Sequence, residues 1–205
     1  MVASYAENIR GNMDILREKE IKFLQPFLPI HHSKRLVERL EEELREENLQ
    51  RNEIEAAVEA AYIELEHYKE DVRKYGQTIL ERVEREHLTA ILLAGRPYHV
   101  DPEINHGIPE MIQSYGLPVI SEDMLYHQPA KEEALSIVNQ WSYHARLYHA
   151  ASYAAEYDNI TLIQFSSFGC GLDAITTGQV KAILEEHQRL YTNYQIGRAS
   201  CRERV

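Results

Sequence analysis

Cysteine is scarce in this sequence: Cys170 and Cys201 are the only two among 205 residues, so no disulfide framework can carry the fold. Tryptophan occurs once, at Trp141, and glycine nine times. No Walker loop and no Gly-x-Gly-x-x-Gly fingerprint is present, so nucleotide binding has no motif behind it. No apolar run approaches the roughly 20 residues that a membrane span needs. The opening Met1-Val2-Ala3-Ser4-Tyr5-Ala6-Glu7 lacks the basic and apolar blocks of a signal peptide. Positive charge is in deficit: 22 Lys and Arg against 33 Asp and Glu give a net charge of −11. Nucleic acid and anionic membrane both favour a basic face, so neither is expected as a partner. A cytoplasmic, reducing setting is the expectation.

What is present suffices for a core. Apolar residues make up 44% of the chain, which excludes wholesale disorder. The length suits one domain with an appended subdomain.

Three textures follow one another. Residues 1–33 are mixed around the apolar knot Phe23-Leu24-Gln25-Pro26-Phe27-Leu28-Pro29-Ile30, whose two prolines break any helix. Ser33 is expected to cap the helix that follows. Residues 34–87 read as helix, with 16 acidic and 10 basic side chains. Leu36, Leu40 and Leu44, then Ile54, Val58, Ala61, Leu65 and Val72, recur at helical spacing. Asn48 and Asn52 suggest one break, and Gly76 a second. The acidic face reads either as a docking surface or as a solvated surface of paired charges.

From residue 88 the pattern changes. Thr89-Ala90-Ile91-Leu92-Leu93-Ala94-Gly95 is a short apolar run closing on glycine, as a buried parallel strand does. Leu117–Ile120, Ile160–Phe165 and Tyr191–Gln195 are further strand candidates. Residues 103–115, 130–157 and 172–187 suit helices. Alternating strands and helices imply right-handed crossovers and a parallel sheet. The expected architecture is α/β: a mainly helical segment over 1–87, then a Rossmann-like parallel sheet flanked by helices over 88–195.

In such sheets ligands bind beyond the carboxyl ends of the strands. Three segments belong there: Gly95–Pro102, Ser121-Glu122-Asp123 and Ser166–Asp173. In the third, Gly169 and Gly171 flank Cys170 and permit a tight turn. Cys170 precedes a helix whose N-terminal amides favour thiolate, the form that ligates iron or attacks an electrophile. The plainer reading is a small buried Cys in a turn. A single cysteine cannot hold an iron–sulfur cluster by itself. Arg96 and His99 read as contacts to a phosphate or carboxylate, or as loop braces. Asp101, before Pro102, reads as a helix cap. Glu122 and Asp123 are candidate bases or metal ligands, although neighbours in sequence point in different directions. Trp141, His144 and Tyr148 share a helical face; His144 to His149 is the wrong spacing for a helical zinc pair.

The run Gly95-Arg96-Pro97-Tyr98-His99-Val100-Asp101-Pro102-Glu103-Ile104-Asn105-His106-Gly107-Ile108 resembles a signature of the activase-related proteins of the 2-hydroxyacyl-CoA dehydratase and benzoyl-CoA reductase superfamily. So do Ser121-Glu122-Asp123, Asn139–Arg146 and Ser167–Ala174, and the similarity runs from about Ser4 to Gln195. The resemblance implies part of a dehydratase-subunit-like region. It implies an iron–sulfur cluster, of the 4Fe-4S kind, with Cys170 as metal ligand and the other ligands outside this chain. It implies an ATP-dependent activase domain or subunit as partner and an acyl-CoA as substrate. Ser166, Ser167, Gly169, Gly171 and Arg96 would then surround the cofactor, and His99, Glu122 and His144 would line the site as catalytic candidates. Two alternatives stay open: a scaffold or electron relay that docks an activase, and a hydrolase or transferase using Cys170 with a histidine base.

Both ends depart from the pattern. Family members carry a cysteine upstream of the segment matching Ser4-Tyr5 and a proline at the place of Ala6. The chain is therefore expected to begin inside a longer reading frame. Residues 196–205, ending Gly197-Arg198-Ala199-Ser200-Cys201-Arg202-Glu203-Arg204-Val205, resemble the conceptual translation of a sequencing adapter and are expected to be a non-native tail.

Overall fold

Apolar side chains at steps of three and four residues build the first helices. A computed structural model describes residues 4–19, 21–131, 135–167 and 171–196, with only the backbone for Arg17 and Leu172. It divides into two compact units, Met1–Tyr68 and Lys69–Val205.

The first unit holds α1 (Tyr5–Asn12), α2 (Asp14–Glu18), α3 (Ser33–Glu43) and the start of α4 (Arg51–Arg85). Its core is Val37, Ile54 and Val58, with Leu36, Leu40 and Tyr62 against them. Ser33 is the first residue of α3 rather than its cap. His32 takes the cap position without a side-chain bond, because a turn from Pro29 (His32 N–H to Pro29 carbonyl, 2.9 Å) feeds the chain directly into the helix. The break between α3 and α4 falls at Asn48, in the left-handed region at φ 54°, and Asn52 is already helical. Asparagine tolerates that conformation better than most side chains.

The second unit is a four-stranded sheet. β1 (Ala90–Ala94), β2 (Val119–Ser121), β3 (Ile160–Ser166) and β4 (Thr192–Gln195) lie in the order β2-β1-β3-β4, all parallel. Alternation along the strands feeds two cores. Ala90, Leu92, Ala94, Ile160 and Leu162 face the layer of α8 (Ser142–Glu156), α9 (Leu172–Glu186) and the end of α4. Ile91, Leu93, Ile163 and Phe165 face Ile104, Ile108 and Ile112. These come from α5 (Pro102–Asn105) and α6 (Ile108–Ser114). The unit has the α/β, Rossmann-like architecture that the sequence pattern predicts.

Three expectations need correction. α4 runs through Gly76 unbroken; the glycine serves packing, since a Cβ there would lie 2.6 Å from Cβ of Met124. Residues 103–115 form two helices, because His106 and Gly107 sit at φ 55° and 73°; Pro109 falls in the first turn of α6, where its missing N–H is harmless. Of residues 130–157, only Ser142–Glu156 are helical among the described residues. Upstream, the backbone N–H of Ser136 donates to Oε1 of Gln179 (2.9 Å) and its hydroxyl to the same oxygen (2.7 Å), which straps that segment to α9 instead. Ile196 donates its N–H to the Ser166 carbonyl (2.7 Å) and is buried with Phe165; the rest of the expected tail lies outside the described residues.

Candidate functional site

The strand order sends the chain from β1 to one neighbour and later to the other. Such a switch leaves a crevice beyond the carboxyl ends of β1 and β3. The β1 loop is folded back on itself there. The backbone N–H of Arg96 donates to Nδ1 of His99 at 2.9 Å. Because that amide can only donate, Nδ1 must be an acceptor and Nε2 carries the proton. Nε2 then donates to the hydroxyl oxygen of Ser167, 2.9 Å away, at the end of β3. His99 is 2% exposed, with Tyr98 and Phe165 edge-on to its ring. Burial pushes its pKa down to about 4; Arg96 lowers it as well, and Asp173 opposes both. The imidazole is therefore neutral at physiological pH.

Gly95 is dictated by this turn: any Cβ would collide with Nδ1 of His99 and press on Cβ of Phe165. Gly171, at φ 58°, supplies the left-handed residue from which α9 starts. Arg96 reaches from the β1 loop to that start, where Nε (3.1 Å) and Nη2 both donate to Oδ1 of Asp173. The Tyr98 hydroxyl also meets the Ser167 hydroxyl at 3.2 Å. Three side-chain ties thus cross from the β1 loop to the segment after β3. Arg96 and His99 act here as braces between the two segments, and Asp101 caps α5 by accepting from the Glu103 N–H (2.9 Å).

Glu122 opens α7 (Glu122–Leu125) directly after β2. It is 6% exposed and its Oε1 accepts from Nη2 of Arg146 on α8 at 3.0 Å. Burial pushes its pKa up to about 7 and Asp123 adds to that; Arg146 and the backbone amides of Glu122 and Gly95 oppose it. Asp123 turns elsewhere and accepts from the Ser121 hydroxyl, so the two neighbouring carboxyls do not act as a pair. Glu122, Arg96 and His99 line one cavity of about 560 Å³.

His144 is 3% exposed beneath the edge of Trp141, and its Nε2 has no partner among the described residues. Burial lowers its pKa, with Arg96 adding and Asp173 opposing. The Ser166 hydroxyl donates to Oδ1 of Asn193 on β4 (3.0 Å). Cys170 and Gly169 lie outside the described residues. Among the described residues no group of three or more His, Cys, Asp or Glu side chains could hold a metal ion. Sequence reasoning gave no role to Asp173 or Arg146. An acid in the first turn of a helix reads as dipole compensation, which concealed Asp173; nothing local in the sequence points from Arg146 to Glu122.

The family described as CoA enzyme activase uncharacterised domain matches residues 1–125. That span includes Arg96, His99 and Glu122 and stops before Arg146, Ser167 and Asp173. No curated protein and no solved structure matches. Among the described residues no helix is long and apolar enough to cross a membrane.

Proposed function

Since the chain belongs to the CoA enzyme activase uncharacterised domain family, we propose that it is part of an iron–sulfur redox component related to the 2-hydroxyacyl-CoA dehydratases. An ATP-dependent activase supplies its low-potential electron. Cys170 is the chain's candidate thiolate ligand, and the remaining ligands come from outside the chain.

One observation carries the reading. The residues on both sides of Cys170 are tied to the β1 loop: Ser167 through His99, and Asp173 through Arg96. Anchors on either side of a residue suit a ligand that must stay in place through a change of redox state. The described residues offer no ligand set of their own. A bound cluster would supply one-electron chemistry, and this chain's residues would hold and shield it. A second reading, a relay without a substrate, is favoured by the internal pairing of Arg96 with Asp173 and of His99 with the Arg96 amide and Ser167.

The test is anaerobic reconstitution of the full-length protein with iron and sulfide, read by iron content and EPR, with and without Cys170→Ser. Loss of iron and of the signal in the variant is expected. Unchanged iron and an unchanged spectrum would remove Cys170 from the ligand set. Clear binding of an acyl-CoA would count against the relay.

A further inference from the structure

β2 is an outer strand: among the described residues it pairs with β1 and with no strand on its other side. In that parallel ladder Val119 stands opposite Ile91, and the Ile91 N–H donates to the Pro118 carbonyl (2.8 Å). Pro118 and Ile120 therefore turn their backbone groups toward β1. The N–H and carbonyl of Val119 point the other way, out of the sheet. A strand edge of this kind is a template for another strand.

The edge is recessed. Leu117, Pro118 and Val119 line the cavity of about 560 Å³. Tyr75, Ile79 and Arg82 of α4 stand on one side of it, and Pro109, Glu110 and Gln113 of α6 on the other. Two helical layers thus overhang the strand. A second copy of the chain carries the same overhang, so its helices would collide with these before two β2 edges met. A single extended segment has no such layers and can enter.

The walls narrow the choice of segment. Side chains of an added strand alternate between the two layers. On the α4 side Ile79 and Met124 offer an apolar surface. On the α6 side Glu110 is exposed at the rim. Arg82 is held by Glu86, Arg96 by Asp173 and Glu122 by Arg146. Among the described residues Glu110 is the charge on this wall that has no ion pair. The net charge of −11 also favours a cationic partner.

From this geometry we propose that the β2 edge docks an extended peptide segment of a partner protein, alternately basic and apolar, which joins the sheet as a further strand. Its backbone pairs with the N–H and carbonyl of Val119. Its apolar side chains pack on Ile79 and Met124. A lysine lays its stem over Leu117 and brings its ammonium to Glu110. The proposal needs no cluster at Cys170, and its test is done without iron.

The test uses the full chain, at about physiological salt, and the peptide acetyl-Lys-Val-Lys-Val-Lys-amide as probe. Binding is read by NMR and amide hydrogen exchange. With peptide bound, the Val119 amide should exchange on the order of tenfold more slowly, while the Ile120 amide, which faces β1, should not change. The peptide with glutamate in place of lysine should bind more weakly, and Glu110→Gln should weaken the lysine peptide about threefold. Methylating the backbone nitrogens of either the lysines or the valines separates strand pairing from charge attraction. The set whose N–H groups face β2 should lose on the order of tenfold in affinity, and the other set little. No binding, unchanged exchange at Val119, equal losses from the two methylated sets, or indifference to the charge of the peptide or of residue 110 would overturn the proposal. So would protection of Val119 that rises with protein concentration in the absence of peptide, which would give the edge to a second copy.

Discussion

The carboxylate of Asp173 holds Nε and Nη2 of Arg96 across 77 residues of sequence, joining the loop after β1 to the first turn of α9. The two side chains are 25% and 18% exposed, so solvent screens the pair less than it screens the ion pairs along α4. A double-mutant cycle of Arg96→Ala and Asp173→Ala, followed by urea denaturation, should give a coupling of about 1–2 kcal/mol. A coupling within error of zero would mean that the loops are held by the serine and histidine ties alone.

Gly95→Ala tests the turn itself. The added methyl group meets the His99 ring and Phe165, both fixed by their own packing, so neither moves away cheaply. Overpacking of this kind costs about 1–3 kcal/mol. The urea midpoint should fall, and the His99 ring resonances should shift as its bond to the Arg96 amide lengthens. An unchanged midpoint with unchanged resonances would show that the turn has room after all.

Part of this was readable from the residues. Ala90–Ala94 is a continuous apolar run because it feeds cores on both faces, and such a run is hard to mistake; Ile160, Leu162, Ile163 and Phe165 keep most of the same character in β3. The convergence of the β1, β2 and β3 loops followed from the alternation of strands and helices. What stayed hidden depends on residues far apart. Gly76 looks like a helix break until Met124 is found against it, and the non-helical stretch before Ser142 depends on Gln179, 43 residues from Ser136. The tautomer of His99 follows from a backbone amide and one serine, neither of which a single sequence can place beside it.

Gly76→Ala separates the two readings of that residue. In a solvent-facing helix the change would stabilise by up to about 1 kcal/mol, because alanine is the better helix former. Against Met124 the new Cβ has no space, and Met124 Cβ is too close to its own backbone to swing aside. A net loss of about 1–2 kcal/mol in urea denaturation is expected. A more stable variant would show that α4 and Met124 can separate at little cost.

His99 and Glu122 make opposite demands on pH. His99 falls from the usual 6.5 to about 4, so between those values the unfolded chain binds a proton that the folded chain does not. Its contribution to stability is complete above pH 6.5 and is lost as pH falls toward 4. Glu122 rises from 4.5 to about 7, so in that window the folded chain keeps a proton that the unfolded chain has released. Its contribution is complete below pH 4.5 and is lost as pH rises through 7. Each effect is on the order of 3 kcal/mol, and over the shared window they offset each other. The variants should separate them. With Glu122→Gln the urea midpoint should climb with pH across that window, since only the histidine effect remains. With His99→Gln it should decline across the same window, since only the glutamate effect remains. Other titrating groups act alike in all three proteins, so the differences between the curves carry the result. Parallel curves for the wild type and Glu122→Gln would show that Glu122 is ionised in the folded chain throughout, and that Arg146 and the amides around it outweigh its burial.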